Sequence, residues 1–320
     1  MNQKTALICG VSGQDGAYLA QFLLDKSYQV YGTSRDAQGS SFRNLKTLGI
    51  RDQVHLLSMD PEDFRSVLVA IRKSRPDELY FLAGQSSVGL SFEQPAETIK
   101  SFTIGILNVL EASRMVDFPI KVYHAGSSEA FGDTNGVAAT EETPFKPRSP
   151  YGLAKASSTW LVDNYREAYK IFACTGILFN HESPLRPERF VTQKIIQTAK
   201  RIAKGSDEKL VLGRMDISRD WGWAPEYVKA MWLMLQQDKA EDYIIATGHT
   251  HSLNDFVELT FDSLGLQARD HVKQSKELMR PTDLLISKAD PSKSRKKLGW
   301  AANYALKEVV QEMLKDAAKD

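Results

Sequence analysis

The sequence has little cysteine. Of its 320 residues only Cys9 and Cys174 carry thiols, and both sit inside apolar runs, ALIC and IFACTGILF. Isolated thiols in such runs read as small buried hydrophobes, which argues against a disulfide framework or a cysteine metal centre and suits a reducing cytoplasm. An excess of one charge is also missing: 41 Lys and Arg face 40 Asp and Glu, a formal net charge of +1. Nothing in that balance favours nucleic acid or a membrane surface, so an anionic ligand must be met by local groups. Long apolar runs are absent too. The opening stretch MNQKTALICG passes into glycines and polar residues after a few apolar positions, which is the pattern of neither a signal peptide nor a membrane span.

What is present is ordinary globular material, 42% hydrophobic and 25% charged, enough for a core in one or two domains. The first half alternates short apolar runs with amphipathic helical patterns, the sign of β-α-β units and a parallel sheet. Strands are expected at 5–9, 29–32, 54–57, 78–82, 121–124 and 174–179, with helices at 18–24, 64–73, 98–114 and 151–169. Beyond 179 come a proline-bearing loop, helices at 191–204 and 226–236, and an apolar segment at 243–246 that can return to the main sheet. The expected architecture is an α/β, Rossmann-like doubly wound parallel sheet with a smaller, interleaved C-terminal substrate domain. Residues 1–179, with a returning segment near 226–250, are expected to form the first domain, and 180–320 mainly the second. The basic run SKSRKKLGW reads as a solvated helix start.

The segment ALICGVSGQDGAYLAQFLL sets Gly10, Gly13 and Gly16 between the first strand and the first helix. Such glycines give a tight turn, let backbone approach a pyrophosphate, and open a helix whose N-terminal amides favour anions. The second strand ends YGTSRDAQGSSF. An acid there would hold the ribose hydroxyls of NAD, whereas an arginine neutralises the extra phosphate of NADP. Arg35 precedes Asp36 and has Ser34, Ser40 and Ser41 near it, which favours NADP, with NAD as the alternative.

Further on, AGSSEAFG ends a predicted strand and PRSPYGLAKASSTW opens a predicted helix. Tyr151 and Lys155, four residues apart, share one helical face. A lysine ammonium near a phenol favours the phenolate and lowers its pKa towards that of a working base. Ser127 can orient a substrate oxygen, and Glu129 is a carboxylate at a strand end, where chemistry collects in such folds. Trp221 and Trp223 read as core aromatics, His124 as a histidine satisfied by local hydrogen bonds, and His249 and His251 in GHTHS as a loop without the further ligands a metal needs.

At these residues the chain resembles the extended short-chain dehydrogenase/reductases, and among them the GDP-mannose 4,6-dehydratases. The resemblance is carried by GVSGQDGAYLA, LAGQSSVGLSF, GSSEAFG, PRSPYGLAK, NYREAY, GILFNHESPLR, FVTQKI, RDWGWAPEYV, AMWLMLQ, IATG and RPTD, spread over nearly the whole chain. It implies a hydro-lyase that forms a GDP-4-keto-6-deoxy sugar, with Ser127 holding the sugar hydroxyl, Glu129 as acid/base, and Tyr151 with Lys155 as base and partner. It implies cofactor contacts at Gly10, Gly13, Gln14, Asp15, Gly16, Arg35, Ser58, Leu82, Ala83, Gly84, Tyr151, Lys155, His181 and Arg186. Sugar-nucleotide contacts fall on Ser87, Ser127, Asn180, Lys194 near the guanine, and Arg219 and Arg280 at the diphosphate. A cytoplasmic homodimer or homotetramer, paired through helices 98–114 and 151–169, is the implied assembly.

Several positions depart from the family pattern. Its paired arginines after the second strand appear as Arg35 and Asp36, and its acid after the third strand as Ser58, with Asp60 two positions on. Ser127 stands for threonine, Phe131 for tyrosine, and the chain is shorter between His271 and Arg280. Three alternatives accompany the dehydratase reading: a GDP-4-keto-6-deoxymannose reductase, a dehydratase of another GDP-hexose or GDP-heptose, and an inactive nucleotide-binding regulatory subunit. FNHESP and RDWG favour the dehydratase over the reductase.

Overall fold

The computed structural model describes residues 3–279 and 281–315, so the expectation placed on Arg280 lies outside the described residues. Its centre is a seven-stranded parallel sheet built from β1 (Thr5–Cys9), β2 (Gln29–Ser34), β3 (His55–Ser58), β4 (Glu78–Phe81), β5 (Lys121–Ala125), β6 (Ala173–Leu178) and β10 (Tyr243–Ile245). The remaining strands are β7 (Asn180–Glu182), β8 (Leu210–Leu212), β9 (Ser218–Trp223), β11 (Thr250–Ser252) and β12 (Val272–Gln274).

Helices cover both faces of the sheet, so its strands are apolar on both sides. Alternate residues of β1 show the division. Ala6 and Ile8 join one cluster with Ala17 and Leu19 of the helix Gln14–Asp25 and Met231 of the helix Ala224–Leu235; Leu7 and Cys9 join the other with Val67 and Val109. Both cysteines are buried and unbridged. Among the described residues no helix is long and apolar enough to cross a membrane.

The order β10-β6-β5-β4-β1-β2-β3 places the functional end. After β3 the chain crosses to the other side of β1, and the connections on either side of that point diverge, opening a crevice at the strands' C-terminal ends. Gly10, Leu82 and Ser127 all follow strands at this end. The late segment does return to the sheet, with Tyr243 opposite Gly176 on β6. Beyond β6, β11-β9-β7 form a small sheet, β12-β8 another, and the helices Val191–Ala203, Leu253–Asp262 and Leu306–Leu314 enclose a separate core.

Three local expectations need correction. The helix expected over 98–114 is interrupted: a π turn at Lys100–Ile104 separates Pro95–Ile99 from Gly105–Met115. Phe102 and Ile106, four residues apart across this turn, are both buried. GHTHS is not a plain loop, because Thr250–Ser252 is strand β11, with His251 opposite Arg219. The basic run is not wholly solvated. Lys293 and Lys297 both pair with Glu241, and Arg295 donates to the Thr247 carbonyl.

Candidate active site

The glycine turn is packed too closely against backbone for side chains at Gly10 and Gly16. Gly10 has φ +90°, and a Cβ there would lie 2.9 Å from the Ala83 nitrogen; one on Gly16 would lie 2.4 Å from the Gly10 carbonyl oxygen. A Cβ on Gly84, at φ +132°, would collide with the Phe102 ring. Both positive angles suit glycine alone at low cost. The helix Gln14–Asp25 has no side-chain cap hydrogen bond at Gly13, so its first amides keep their capacity for an anion. Asp15, an acid in that first turn, is held by neighbours. Its Oδ2 lies 2.9 Å from His181 Nε2, and its Oδ1 accepts from Gln14 Nε2 at 2.9 Å. Ser183 donates to Gln14 Oε1 at 2.7 Å, so β7 and the segment after it are tied to the turn.

Next to this turn, β5 runs into Gly126 and Ser127. Ser127 is extended and caps the 3-10 turn Ser128–Ala130, its Oγ accepting from the Glu129 amide at 3.3 Å. Ser149 Oγ caps the helix Pro150–Tyr169 by accepting from Gly152 N at 3.0 Å, and Pro150 occupies the first helical position. Gly152 lets that helix start against the turn, since a Cβ on it would stand 2.6 Å from the Glu129 carbonyl oxygen. These local rules bring Tyr151 near Ser127, whose hydroxyl favours ionisation of the phenol. Glu129 is half-buried, and its charge acts on Tyr151.

Lys155 lies one turn further along, 6% exposed, donating to the Ala125 carbonyl at 2.8 Å. Its Nζ stands 3.8 Å from the Phe102 ring centroid and 5.7 Å from that of Tyr151, while Phe102 meets Tyr151 edge-on at 5.5 Å. The expected polarisation is not established in this arrangement. Burial pushes the Tyr151 phenol up to about 12, against the pull of the nearby Ser127 hydroxyl and with the Glu129 charge adding to it. Burial also brings Lys155 down to about 7, opposed by Asp15. Spacing correctly placed both side chains on one face, but it carried no information on how dry that face is.

His181 and Arg186 frame the other wall. Arg186 Nε lies 2.9 Å from Glu182 Oε2, an ion pair without hydrogen-bond alignment, and Thr192 donates to the same oxygen at 2.7 Å. Other expected site residues lie apart from the Tyr151 cluster or are otherwise engaged. Arg35 is exposed at the end of β2, and Ser58 accepts from the Ala37 amide at 3.0 Å. Asn180 is half-buried on β7, and Ser87 caps the helix Val88–Glu93. Lys194 donates to the Val211 carbonyl at 2.7 Å; Arg219, buried, donates to the Ser218 and Leu284 carbonyls. Trp221 is core against Phe256, as expected, and Trp223 stacks on Tyr304. Among the described residues no group of three or more His, Cys, Asp or Glu is placed to hold a metal.

Some residues of the site escaped the sequence reading. Phe102 lies beneath Lys155 and beside Gly84, hidden in what read as a continuous helix. Asp220 is fully buried and accepts from Thr247 N, Thr247 Oγ1 and Gly248 N, fixing the loop after β10. An acid inside the apolar strand RDWGW was the available signal. His124 departs from expectation, being fully buried with neither ring nitrogen hydrogen-bonded among the described residues.

A doubly wound sheet, a glycine turn at its crevice and a Ser-Tyr-Lys cluster beside it define an extended short-chain dehydrogenase/reductase. The fold is shared with UDP-glucose 4-epimerase from Thermus thermophilus, solved in complex with NAD: TM-score 0.85 at 24% identity, over 98% of each chain. The chain belongs to the GDP-mannose 4,6 dehydratase family, whose sequence model matches residues 7–313. It is 43% identical to GDP-mannose 4,6 dehydratase 1 of Arabidopsis thaliana over 98% of this chain and 89% of that one. It is 40% identical to GDP-mannose 4,6-dehydratase of Vibrio cholerae, over 99% of this chain and 94% of the relative. That alignment spans 353 positions, more than this chain's 320 residues fill without gaps.

Proposed function

We propose that this chain converts GDP-mannose to GDP-4-keto-6-deoxymannose with loss of water. One observation carries the reading within the family: the turn after β5 presents Ser127 and Glu129 together with Tyr151, beside a turn packed too tightly at Gly10 and Gly16 for side chains. That glycine turn fits a dinucleotide, whose pyrophosphate would lie at Gly10, Gly13 and the amides opening the helix Gln14–Asp25, with Leu82, Ala83 and Gly84 across the crevice. When bound, a nicotinamide dinucleotide supplies the site with a hydride acceptor that later gives the hydride back.

The chain's own groups manage the protons. Ser127 orients the sugar's 4-hydroxyl and Tyr151 takes its proton, with Lys155 favouring the phenolate once charged. The 4-ketone acidifies the proton on carbon 5. Glu129 removes that proton and then delivers it to the departing 6-hydroxyl, so one carboxylate serves in sequence as base and acid. When the hydride returns to carbon 6, carbon 5 regains a proton, balanced by the one that Tyr151 took from the 4-hydroxyl. Asn180, Lys194, Arg219 and Arg280 are assigned to the GDP-sugar, which places it mainly on residues 180–320. The dinucleotide is assigned to 1–179 with the segment near 226–250.

NADP is the proposed cofactor. Asp36 Oδ1 accepts from the Gln38 and Gly39 amides, both at 2.9 Å, so the acid is drawn into its own turn while Arg35 stays exposed. A cytoplasmic homo-oligomer is proposed on the exposed apolar side chains Ile99, Ile104, Met115, Leu153 and Trp160, which lie on or beside the helices expected to pair; light scattering tests it. The function is tested by incubation with GDP-mannose without added reductant. A keto product lighter by one water is expected; a protein that leaves GDP-mannose intact and instead consumes NADPH with a keto sugar is a reductase.

A further inference from the structure

Close to the Tyr151–Lys155 pair lie buried polar atoms that the chain leaves unmatched. His124 on β5 is 0% exposed, and among the described residues neither Nδ1 nor Nε2 has a hydrogen-bond partner. Thr175, its register partner on β6, is equally buried, and its Oγ1 has none either. Residues paired in a parallel ladder project from the same face of the sheet, so these groups are neighbours. Across β4 the imidazole lies on Phe81, centroids 6.0 Å apart and rings 27° from parallel. Burial, and then the charge of Lys155, hold the imidazole well below its usual range, so it is neutral. Lys155, on the helix Pro150–Tyr169, is the charged group acting on it; the flanking strands contribute the uncharged Phe81 and Thr175.

An unmatched buried polar atom is costly, because it gives up its hydrogen bonds to water without replacement. A phenylalanine would fill the place of His124 without that cost, so clustered unmatched atoms point to a use. A neutral imidazole offers one donor and one acceptor, and with a hydroxyl it supplies the polar partners an internal water needs. Lys155 has three donors. One is given to the carbonyl of Ala125, the residue following His124, and the ammonium also lies over the Phe102 ring.

We propose that His124 and Thr175 form a buried hydration site beside Lys155, through which the neutral imidazole accepts a water-mediated hydrogen bond from the ammonium and keeps Lys155 charged. The proposal rests on reading Tyr151 as the base and Lys155 as its partner. His124 touches no reacting atom and is a positioning residue. Without its acceptor Lys155 gives up its proton at lower pH, and the Tyr151 phenolate then forms only at higher pH.

The test is an ultraviolet titration of the Tyr151 phenolate in the NADP-bound protein, read as the difference between each protein and its Tyr151→Phe counterpart. The acid limb of kcat on GDP-mannose is measured alongside. His124→Phe keeps the ring stack and removes both nitrogens, and it should raise the phenolate titration and the acid limb by about one pH unit. Thr175→Val should move both in the same direction by less, and His124→Asn, which restores a donor and an acceptor, should return them towards the parent. A titration unchanged in His124→Phe, or shifted equally in His124→Phe and His124→Asn, overturns the proposal. Should His124→Phe not fold, a folded Thr175→Val with an unshifted titration overturns it too. Failure of the dehydratase reading is distinct: the parent then shows no turnover of GDP-mannose while its phenolate titration can still be read.

Discussion

His181 Nε2 stands 2.9 Å from Asp15 Oδ2 while its Nδ1 stands 2.7 Å from the Phe179 carbonyl oxygen. Both partners are acceptors, and only a doubly protonated imidazole donates to both. Burial opposes the charge on each residue, yet the pair outweighs it: Asp15 is held below the usual carboxylate range and His181 above the usual imidazole range. The His181 ring also stacks on Tyr227, centroids 4.5 Å apart. One side chain thus joins the glycine turn, the start of β7 and the helix Ala224–Leu235.

The stability this pair contributes has a pH window. Because His181 is raised, its share is full below the unfolded imidazole value of 6.5 and is lost as pH rises through the folded value. Because Asp15 is lowered, its share is full above the unfolded value of 3.8 and is lost as pH falls through the folded one. His181→Phe, which keeps the stack on Tyr227, should cost about 1.5–3 kcal/mol between those limits. The cost should shrink in mildly alkaline buffer. Urea unfolding midpoints of both proteins at the two pH values measure this; a gap that widens with pH contradicts the charged pair.

Glu129→Gln and Tyr151→Phe should separate the half-reactions. The first should lower water loss by at least about 100-fold while leaving hydride transfer to bound cofactor observable as a slow absorbance change. The second should lower that transfer itself by a similar factor. Rapid-mixing absorbance together with product mass tells them apart, and a Glu129→Gln protein that dehydrates at the parent rate removes the carboxylate from the mechanism.

Arg35→Glu should weaken NADP binding by about tenfold or more, roughly 1.4 kcal/mol, and leave NAD binding within twofold. Calorimetric titration with each dinucleotide reads it. Weakening of NAD alone would assign the loop to ribose rather than phosphate.

Much of the fold was legible because β-α-β order is written in local patterns. The apolar runs at 5–9 and 78–82, and the return of 243–246, needed only periodicity and punctuation. The π turn was not legible, since KSFTI reads as ordinary helix, and the packing of Phe102 against Tyr151 and Ala154 joins it to a helix distant in sequence. Ser127, Tyr151 and Lys155 were legible as a constellation because capping and helical spacing are short-range rules. Their protonation was not. A phenol pushed up to about 12 and an ammonium brought down to about 7 follow from exclusion of water by Phe102 and β5, elements distant in sequence.

By itself, then, the sequence determined the sheet, the glycine turn and the order of Ser127, Tyr151 and Lys155, all consequences of φ preference, capping and apolar alternation. Tertiary structure alone decided which carboxylate meets which cation and how dry each group is. Asp15 and His181 are 166 positions apart, and nothing in GQDG or FNHESP states that one strand end will bring them to 2.9 Å. The physical reason is that charge states depend on solvent exclusion and on partners brought in by packing, neither of which is a local property of the chain.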